Sequence, residues 1–341
     1  MKHLSKNPND VPFVSLIVPC RNEETYIERC LTSITEQNYP AEKREILVVD
    51  GMSEDATRSI VATFAKRHPE IRIINNPQKT VPYAMNHGIR ESKGSVIIKM
   101  DAHSSYPPSY VSSCVRNLIN LNADNVGGAL TTKPANESSK ARAIALSLSH
   151  VFGVGSSPFR KESASKKPRE ADTVAFGCYK RSVFEKIGLY NEHLAKSSDM
   201  EFNIRLKNAG GKIMLVPDIV ASYYADATFK KFWKHNFVDG LWATYPLKFT
   251  PLLLRPRHFI PLAFVSTLFS LLLLSFLYKP LLAAFLLILG AYILASLAAS
   301  LLVAIKEKNP LYFFLMPSAF AARHLAYGIG SLWGLMKLIF P

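Results

Sequence analysis

The sequence predicts an α/β domain, a mainly parallel sheet with helices on both faces, followed by a C-terminal region of α-helical membrane spans. Three observations carry this. Short apolar runs alternate with stretches whose apolar residues recur at helical spacing, the pattern of βαβ units. Two of those runs, residues 45–49 and 95–100, end abruptly in a carboxylate, Asp50 and Asp101. An open α/β sheet binds its ligands at the carboxyl ends of its strands, so the two acids mark a binding edge. Finally, charged residues recur up to about Pro261, whereas residues 261–278 and 281–305 carry almost none. Each of these stretches approaches the roughly 20 residues a helix needs to cross a bilayer.

Residues 14–18 read as a buried strand, and Ile27, Cys30, Leu31 and Ile34 give 27–36 the spacing of a helix. Residues 45–49 form the next strand. Asp55 is suited to cap a helix reaching about Arg67, with Ile60, Val61 and Phe64 on its apolar side; Ser53 is a second capping candidate. Residues 71–74 form a third strand, Pro82 fits the first turn of a helix ending near Ser92, and 95–100 is the fourth strand. Strands separated in this way imply right-handed crossovers. A further helix is expected to start near Ser198. There is no internal repeat or long low-complexity tract.

At 341 residues the chain exceeds a typical single domain. Its net charge of +15 suggests an anionic partner. Nucleic acid is excluded as the preferred one, because no zinc-finger or RRM signature accompanies the charge and much of it flanks the expected spans, where anionic lipid attracts it. Lys230, Lys231, Lys234, Lys248, Arg255, Arg257 and His258 precede the first span, Lys306 and Lys308 follow the second, and only Lys279 lies between. That asymmetry places the large domain in the cytoplasm with a very short external turn. The N-terminus, residues 1–10, is polar and lacks the apolar stretch of a secretory signal. Cys20, Cys30, Cys114 and Cys178 form no CxxC pair and read as reduced thiols. Arg160, Lys161, Lys166, Lys167 and Arg169 lie in a segment that reads either as a solvated loop or as a flap meeting an anionic substrate.

The expected organisation is a polar tail (1–11), an α/β domain (12–228), an interfacial amphipathic linker (229–258) and a membrane region (259–341). Its spans are about 261–278 and 281–305, with 311–340 either a third span or a re-entrant hairpin around Arg323-His324. The linker interleaves aromatic residues with lysines, which suits a helix lying among lipid headgroups.

Four ordered segments carry a resemblance: Val14-Ser-Leu-Ile-Val-Pro-Cys-Arg-Asn-Glu-Glu, Leu47-Val-Val-Asp-Gly-Met-Ser-Glu-Asp-Ala-Thr, Asp101-Ala-His103 and Ser198-Asp-Met-Glu-Phe-Asn-Ile-Arg205. Over about residues 12–250 the chain resembles glycosyltransferase family 2, and most of all the succinoglycan-type membrane glucosyltransferases that extend lipid-linked exopolysaccharide. The resemblance implies a GT-A fold and a bacterial-type, multi-pass plasma-membrane enzyme with its catalytic domain in the cytoplasm. The implied reaction moves a hexose, glucose from UDP-glucose being the expected donor, onto a polyprenyl-diphosphate-linked oligosaccharide with inversion. No Gln-x-x-Arg-Trp motif is present, which points to one sugar per encounter.

By the same resemblance Pro19, Asn22 and Glu23 line the nucleobase, and Asp50 meets the uridine ribose or base, although Asp50-Gly51 also reads as a tight turn. Asp101 and His103, two apart across a turn, can face one divalent ion beside the donor diphosphate. Carboxylate oxygen with imidazole nitrogen suits Mn²⁺ better than Mg²⁺. The alternative is that Asp101 caps the helix beginning near Pro108 and His103 is a surface residue. His103 departs from the family's usual second Asp, Gly51 from a frequent second acid, and Ser198 from a Glu. Asp199 is the candidate base for the acceptor hydroxyl, against the plainer role of helix N-cap, with Glu201 and Arg205 orienting it or packing the helix.

His235, Asn236 and Trp242 are candidate acceptor contacts, or else packing residues of the linker. Arg323 and His324, with Lys230 or Lys231, either grip the acceptor's diphosphate or reach toward the membrane surface. Two other classes fit the sequence less well. A sugar nucleotidyltransferase needs a Gly-rich triphosphate loop that Pro19-Cys-Arg-Asn-Glu23 does not offer, and a membrane scaffold would not depend on Asp199.

Overall fold

A computed structural model describes residues 11–155, 167–249 and 256–339. Arg160, Lys161, Lys166 and Arg255 lie outside the described residues, as do the side chains of Arg257 and His258. In chain order the elements are β1 (Val14–Cys20), α1 (Ile27–Thr35), β2 (Arg44–Asp50), α2 (Thr57–Arg67), β3 (Ile71–Asn75), α3 (Val81–Glu91), β4 (Val96–Lys99), β5 (Ser104–Ser105), α4 (Tyr110–Asn120) and β6 (Asn125–Lys133). Next come α5 (Ser139–Ser147), α6 (Val151–Val154), β7 (Arg169–Glu170), β8 (Ala175–Lys180), α7 (Arg181–Ile187), α8 (Ser198–Asn208) and β9 (Ile213–Tyr224). The last four helices are α9 (Phe229–Thr244), α10 (Pro256–Leu274), α11 (Pro280–Lys306) and α12 (Leu311–Ile339).

By contacts the chain divides into two compact units. Residues 11–131 and 167–223 form one, and 132–155, 224–249 and 256–339 form the other. The division after 223 lies close to the expected boundary at 228, whereas the α5–α6 segment groups with the C-terminal helices.

In the first unit the strands run in the order β3-β2-β1-β4-β8-β6-β9-β5, with β7 on β9. The pairs β3–β2, β2–β1 and β1–β4 are parallel, as the helical crossovers require. Beyond β4 the sheet is antiparallel where β8 meets β4 and β6, and where β5 and β7 meet β9. The parallel expectation therefore holds for the first four strands only. Strand residues alternate between two cores. Leu16, Val18, Ile46, Val48 and Ile98 pack with Cys30, Leu31, Ile34, Val111 and Leu118, while Ile17, Leu47, Val49 and Ile97 pack with Met85, Ile89, Phe184 and Phe202. Each fully buried side chain of this size contributes roughly 1.5–3 kcal/mol.

In the second unit α12 packs on α5, α9, α10 and α11. Glycines set its approach to α9. A Cβ at Gly240 would meet the Tyr327 carbonyl oxygen at 2.0 Å, and one at Gly330 would meet that of Phe237 at 2.0 Å. Residues 229–244, expected as an interfacial linker, thus form a helix seated against α12. Residues 311–339 form one continuous 29-residue helix that contains Pro317, which corrects the hairpin alternative. Pro317 removes one i→i−4 bond near its start without ending the helix, and from within it Arg323 and His324 find polar partners.

Among the described residues one helix, α11, is long and apolar enough to cross a membrane, and only 6% of its most apolar window is buried. It exposes Leu286, Leu287, Leu294, Leu302 and Ile305, which is not the surface of a soluble core helix. The span expected at 261–278 is shorter than anticipated. Its apolar helix covers Phe259–Leu274, about 24 Å at 1.5 Å per residue against roughly 30 Å of hydrocarbon.

Candidate active site

Chain direction from β1 runs to β2 and β3 on one side and to β4 on the other, so the switch point lies between β1 and β4 at their carboxyl ends. The loops after β1, β2 and β4 converge there. Pro19 lies within β1, in register with Val49. Asn22 takes the left-handed conformation (φ 54°); its N–H donates to Ser53 Oγ at 2.9 Å, and its Oδ1 accepts from Glu54 N at 2.9 Å. Glu23 N donates to Thr57 Oγ1 at 2.8 Å, Glu24 N donates to Asp55 Oδ2 at 3.1 Å, and Glu24 Oε2 accepts from Ala56 N at 3.1 Å. Reciprocal bonds thereby stitch the β1 and β2 loops into one rigid lip.

Asp50 anchors that lip. It is 1% exposed and accepts from Ser53 N at 3.1 Å, Ser53 Oγ at 2.5 Å and Arg58 Nη1 at 2.6 Å. These bonds give Asp50 a structural part in an Asx-type turn, in keeping with the tight-turn alternative for Asp50-Gly51. Ser53, expected as a helix cap, instead ties Asp50 to Asn22. Asp55 does act at the start of α2, accepting from Thr57 N at 3.0 Å.

Asp101 and His103 face one another across the turn after β4. His103 Nδ1 lies 3.2 Å from Asp101 Oδ1 and 3.2 Å from Glu23 Oε1, and His103 N donates to Asp101 Oδ1 at 3.0 Å. Asp101 does not cap α4, whose N-cap is Ser109. The Glu23 carboxylate thus points to the Asp101–His103 turn. Burial alone would lower the His103 pKa, but Asp101 and Glu23 outweigh it and push it up to about 9. Two carboxylates against one imidazole make this a place that stabilises positive charge, with the oxygen and nitrogen donors a divalent ion takes. Among the described residues no three or more His, Cys, Asp or Glu side chains form a complete metal cage. Asp101 and His103 are the residues that could hold such an ion. Tyr106 Oη accepts from Asp101 N at 2.6 Å beneath the turn, and Tyr223 meets the His103 ring edge-on at 5.2 Å.

Asp199 lies in the first turn of α8 but is not its N-cap, which is Ser197 (φ 63°). Its Oδ2 pairs with Lys99 Nζ, which brings it to the strand end that carries Asp101 two residues later. Its Oδ1 is buried and has no hydrogen-bond partner. Arg205 pairs with Glu201 (2.9 Å) and donates to the carbonyls of Ile187 (2.6 Å) and Leu189 (2.8 Å), so these two residues pack the helix. Lys99 and Arg58 escaped the sequence reading. The available signal for Lys99 was a lysine interrupting an otherwise apolar strand; for Arg58 there was none.

The acceptor candidates lie in the second unit. His235 Nδ1 is 3.1 Å from Asp226 Oδ2, and its Nε2 is 3.7 Å from Asp239 Oδ2. Asn236 is 2% exposed, donates to the Phe232 carbonyl at 2.7 Å and accepts from Arg323 Nη1. Trp242 meets Tyr245 edge-on at 5.5 Å. Arg323 also lies 5.6 Å from the Tyr327 ring. His324 Nε2 donates to the Phe152 carbonyl at 2.8 Å and its Nδ1 faces Tyr292 Oη at 3.2 Å. A carbonyl only accepts, so Nε2 carries the proton and both ring nitrogens are committed. His324 ties α12 to α6 and α11.

The family model described as glycosyl transferase family 2 matches residues 15–188. A dolichyl N-acetyl-alpha-D-glucosaminyl phosphate 3-beta-D-2,3-diacetamido-2,3-dideoxy-beta-D-glucuronosyltransferase of Methanococcus voltae is 29% identical over 338 residues, covering 95% of this chain and 98% of its own. The succinoglycan biosynthesis protein ExoA of Rhizobium meliloti (strain 1021) is 26% identical over 254 residues, with 70% and 75% covered. Among solved structures, the mannosyltransferase PcManGT from Pyrobaculum calidifontis, in complex with GDP-Man and Mn²⁺, matches with a TM-score of 0.58 at 20% identity. That match covers 97% of this chain and 90% of the other. At that identity the likeness shows the fold, which is GT-A.

Proposed function

The chain belongs to glycosyltransferase family 2, and from that premise we propose that it moves a hexose from a UDP-activated donor onto a lipid-linked acceptor, once per encounter and with inversion. One observation carries the reading: the Lys99–Asp199 pair holds a carboxylate at the same strand end as the Asp101–His103 turn. Asp199 takes the proton of the attacking hydroxyl, the acceptor oxygen bonds to the anomeric carbon, and the bond from that carbon to the diphosphate breaks, releasing UDP. A divalent ion held by Asp101 and His103, Mn²⁺ in preference to Mg²⁺, would neutralise charge growing on the departing diphosphate. A single base with no second carboxylate nucleophile favours direct displacement.

The lipid-linked acceptor is supported by the Methanococcus relative, whose name specifies a dolichyl-linked sugar phosphate, and by the apolar surface of α11. We assign α11 as a membrane crossing, with α10 and α12 beside it, and place the Lys306–Lys308 end in the cytoplasm with the catalytic domain, about residues 12–228. Lys230, Lys231 and Lys234, exposed on α9 beside the exposed Trp233, suit anionic headgroups. Arg323 and Asn236 form one polar unit on α9 and α12 for the acceptor's anionic group.

The test is transfer of radiolabel from a panel of UDP- and GDP-sugars into membrane lipid extract by the purified protein with Mn²⁺. Transfer from one UDP-hexose with opposite anomeric configuration in the product is expected, and chelation should abolish it. Transfer from GDP-sugars alone rejects the donor assignment, and undiminished transfer under chelation rejects the metal.

A further inference from the structure

We propose that Lys99 is the positioning residue of Asp199, an inference that rests on the reading of Asp199 as proton acceptor. Lys99 is the last residue of β4 and sits between the fully buried Ile98 and Met100. Its side chain is only 12% exposed. A lysine so enclosed is rarely found without a partner, and the partner here is Asp199 Oδ2.

Nothing on α8 does that work in its place. Ser197 at the N-cap makes no side-chain capping bond, Glu201 and Arg205 engage each other, and Arg205 is further held by two carbonyls. On the inner side stand the buried rings of Tyr179 and Tyr190, close enough to feel the Asp199 charge. Asn203 is taken up by Asn125 at 2.9 Å and by Thr173 at 3.0 Å. Asp199 Oδ1 faces this interior without a hydrogen bond.

The carboxylate is therefore held from the sheet through Oδ2 by the Lys99 ammonium. Lys99 and Asp101 are two residues apart on the same strand end, so the tether transmits the rigidity of β4 to a base carried on α8. Loss of the tether frees the carboxylate to rotate while the metal turn stays in place. The consequence falls on turnover, since a misplacement of about 1 Å at a reacting group costs on the order of 10²-fold in rate.

The experiment compares Lys99→Met, Lys99→Arg and Asp199→Asn in the full chain. It measures kcat at saturating donor and acceptor, and UDP affinity in Mn²⁺ by calorimetry, with thermal melts verifying that each variant folds. Lys99→Met is expected to lower kcat by about 10²-fold with UDP affinity unchanged. Lys99→Arg, which keeps a cation in reach of Oδ2, should recover most of the loss. Wild-type kcat in Lys99→Met overturns the proposal, and so does a parallel loss of UDP affinity, which would make Lys99 part of the donor site. If Asp199→Asn turns over normally, the reading of the base itself has failed; if it is inactive while Lys99→Met is normal, only the tether is wrong. Should Lys99→Met fail to fold, Lys99→Gln takes its place with the same two outcomes.

Discussion

Replacing Asp50 separates a turn anchor from a nucleoside contact. The carboxylate is buried and accepts from Ser53 N, Ser53 Oγ and Arg58 Nη1. Bonds to a charged group contribute roughly 1.5–3 kcal/mol each. The Arg58 guanidinium is 40% exposed, so screening reduces its share to about 1 kcal/mol or less. Asp50→Ala is then expected to destabilise the domain by roughly 3–5 kcal/mol, since it strands the Ser53 donors. Asp50→Asn keeps an oxygen for Ser53 and loses only the ion pair, at about 1–2 kcal/mol. For a domain of this size each kcal/mol moves Tm by about 2–4 °C, which gives shifts of about 6–20 °C for Asp50→Ala and about 2–8 °C for Asp50→Asn. Melts in detergent, read beside UDP affinity of the still-folded Asp50→Asn protein, decide it. Unchanged melts with UDP binding lost in both variants would refute the anchor and assign Asp50 to the nucleoside.

Asp199→Asn should lose about 10²–10⁴-fold in turnover while UDP still binds in Mn²⁺, as calorimetry and initial rates would show. Removal of divalent ions should silence the enzyme and Mn²⁺ restore it, with His103→Ala requiring more Mn²⁺ for half-maximal rate. Gly330→Leu should push α9 from α12 and lower the melting temperature, since even a Cβ there meets the Phe237 carbonyl at 2.0 Å; overpacking of this kind costs about 1–3 kcal/mol or more. All four cysteines are buried, and burial first, with nearby Asp50 and Asp101, pushes the Cys20 and Cys30 thiols upward. The native protein should accordingly resist a thiol reagent at pH 8 until denatured.

The sequence by itself determined the parts whose signals are local. The strands and helices through residue 99 lie within a few residues of their expected places, because burial on a strand repeats every second residue and on a helix every 3.6. The apolar run of α11 was legible from its length alone, and the carboxylates at strand ends marked the edge where the loops meet. Tertiary structure alone decided which partners those groups take. Asp199 finds Lys99 across 100 positions, His103 finds Glu23 across 80, and Arg323 finds Asn236 across 87. It also turned Asp50 inward, added antiparallel strands beyond β4, and kept α12 unbroken through its charged middle. Periodicity is a property of neighbours along the chain, whereas the desolvation of a charge must be repaid by whichever group the completed fold brings beside it.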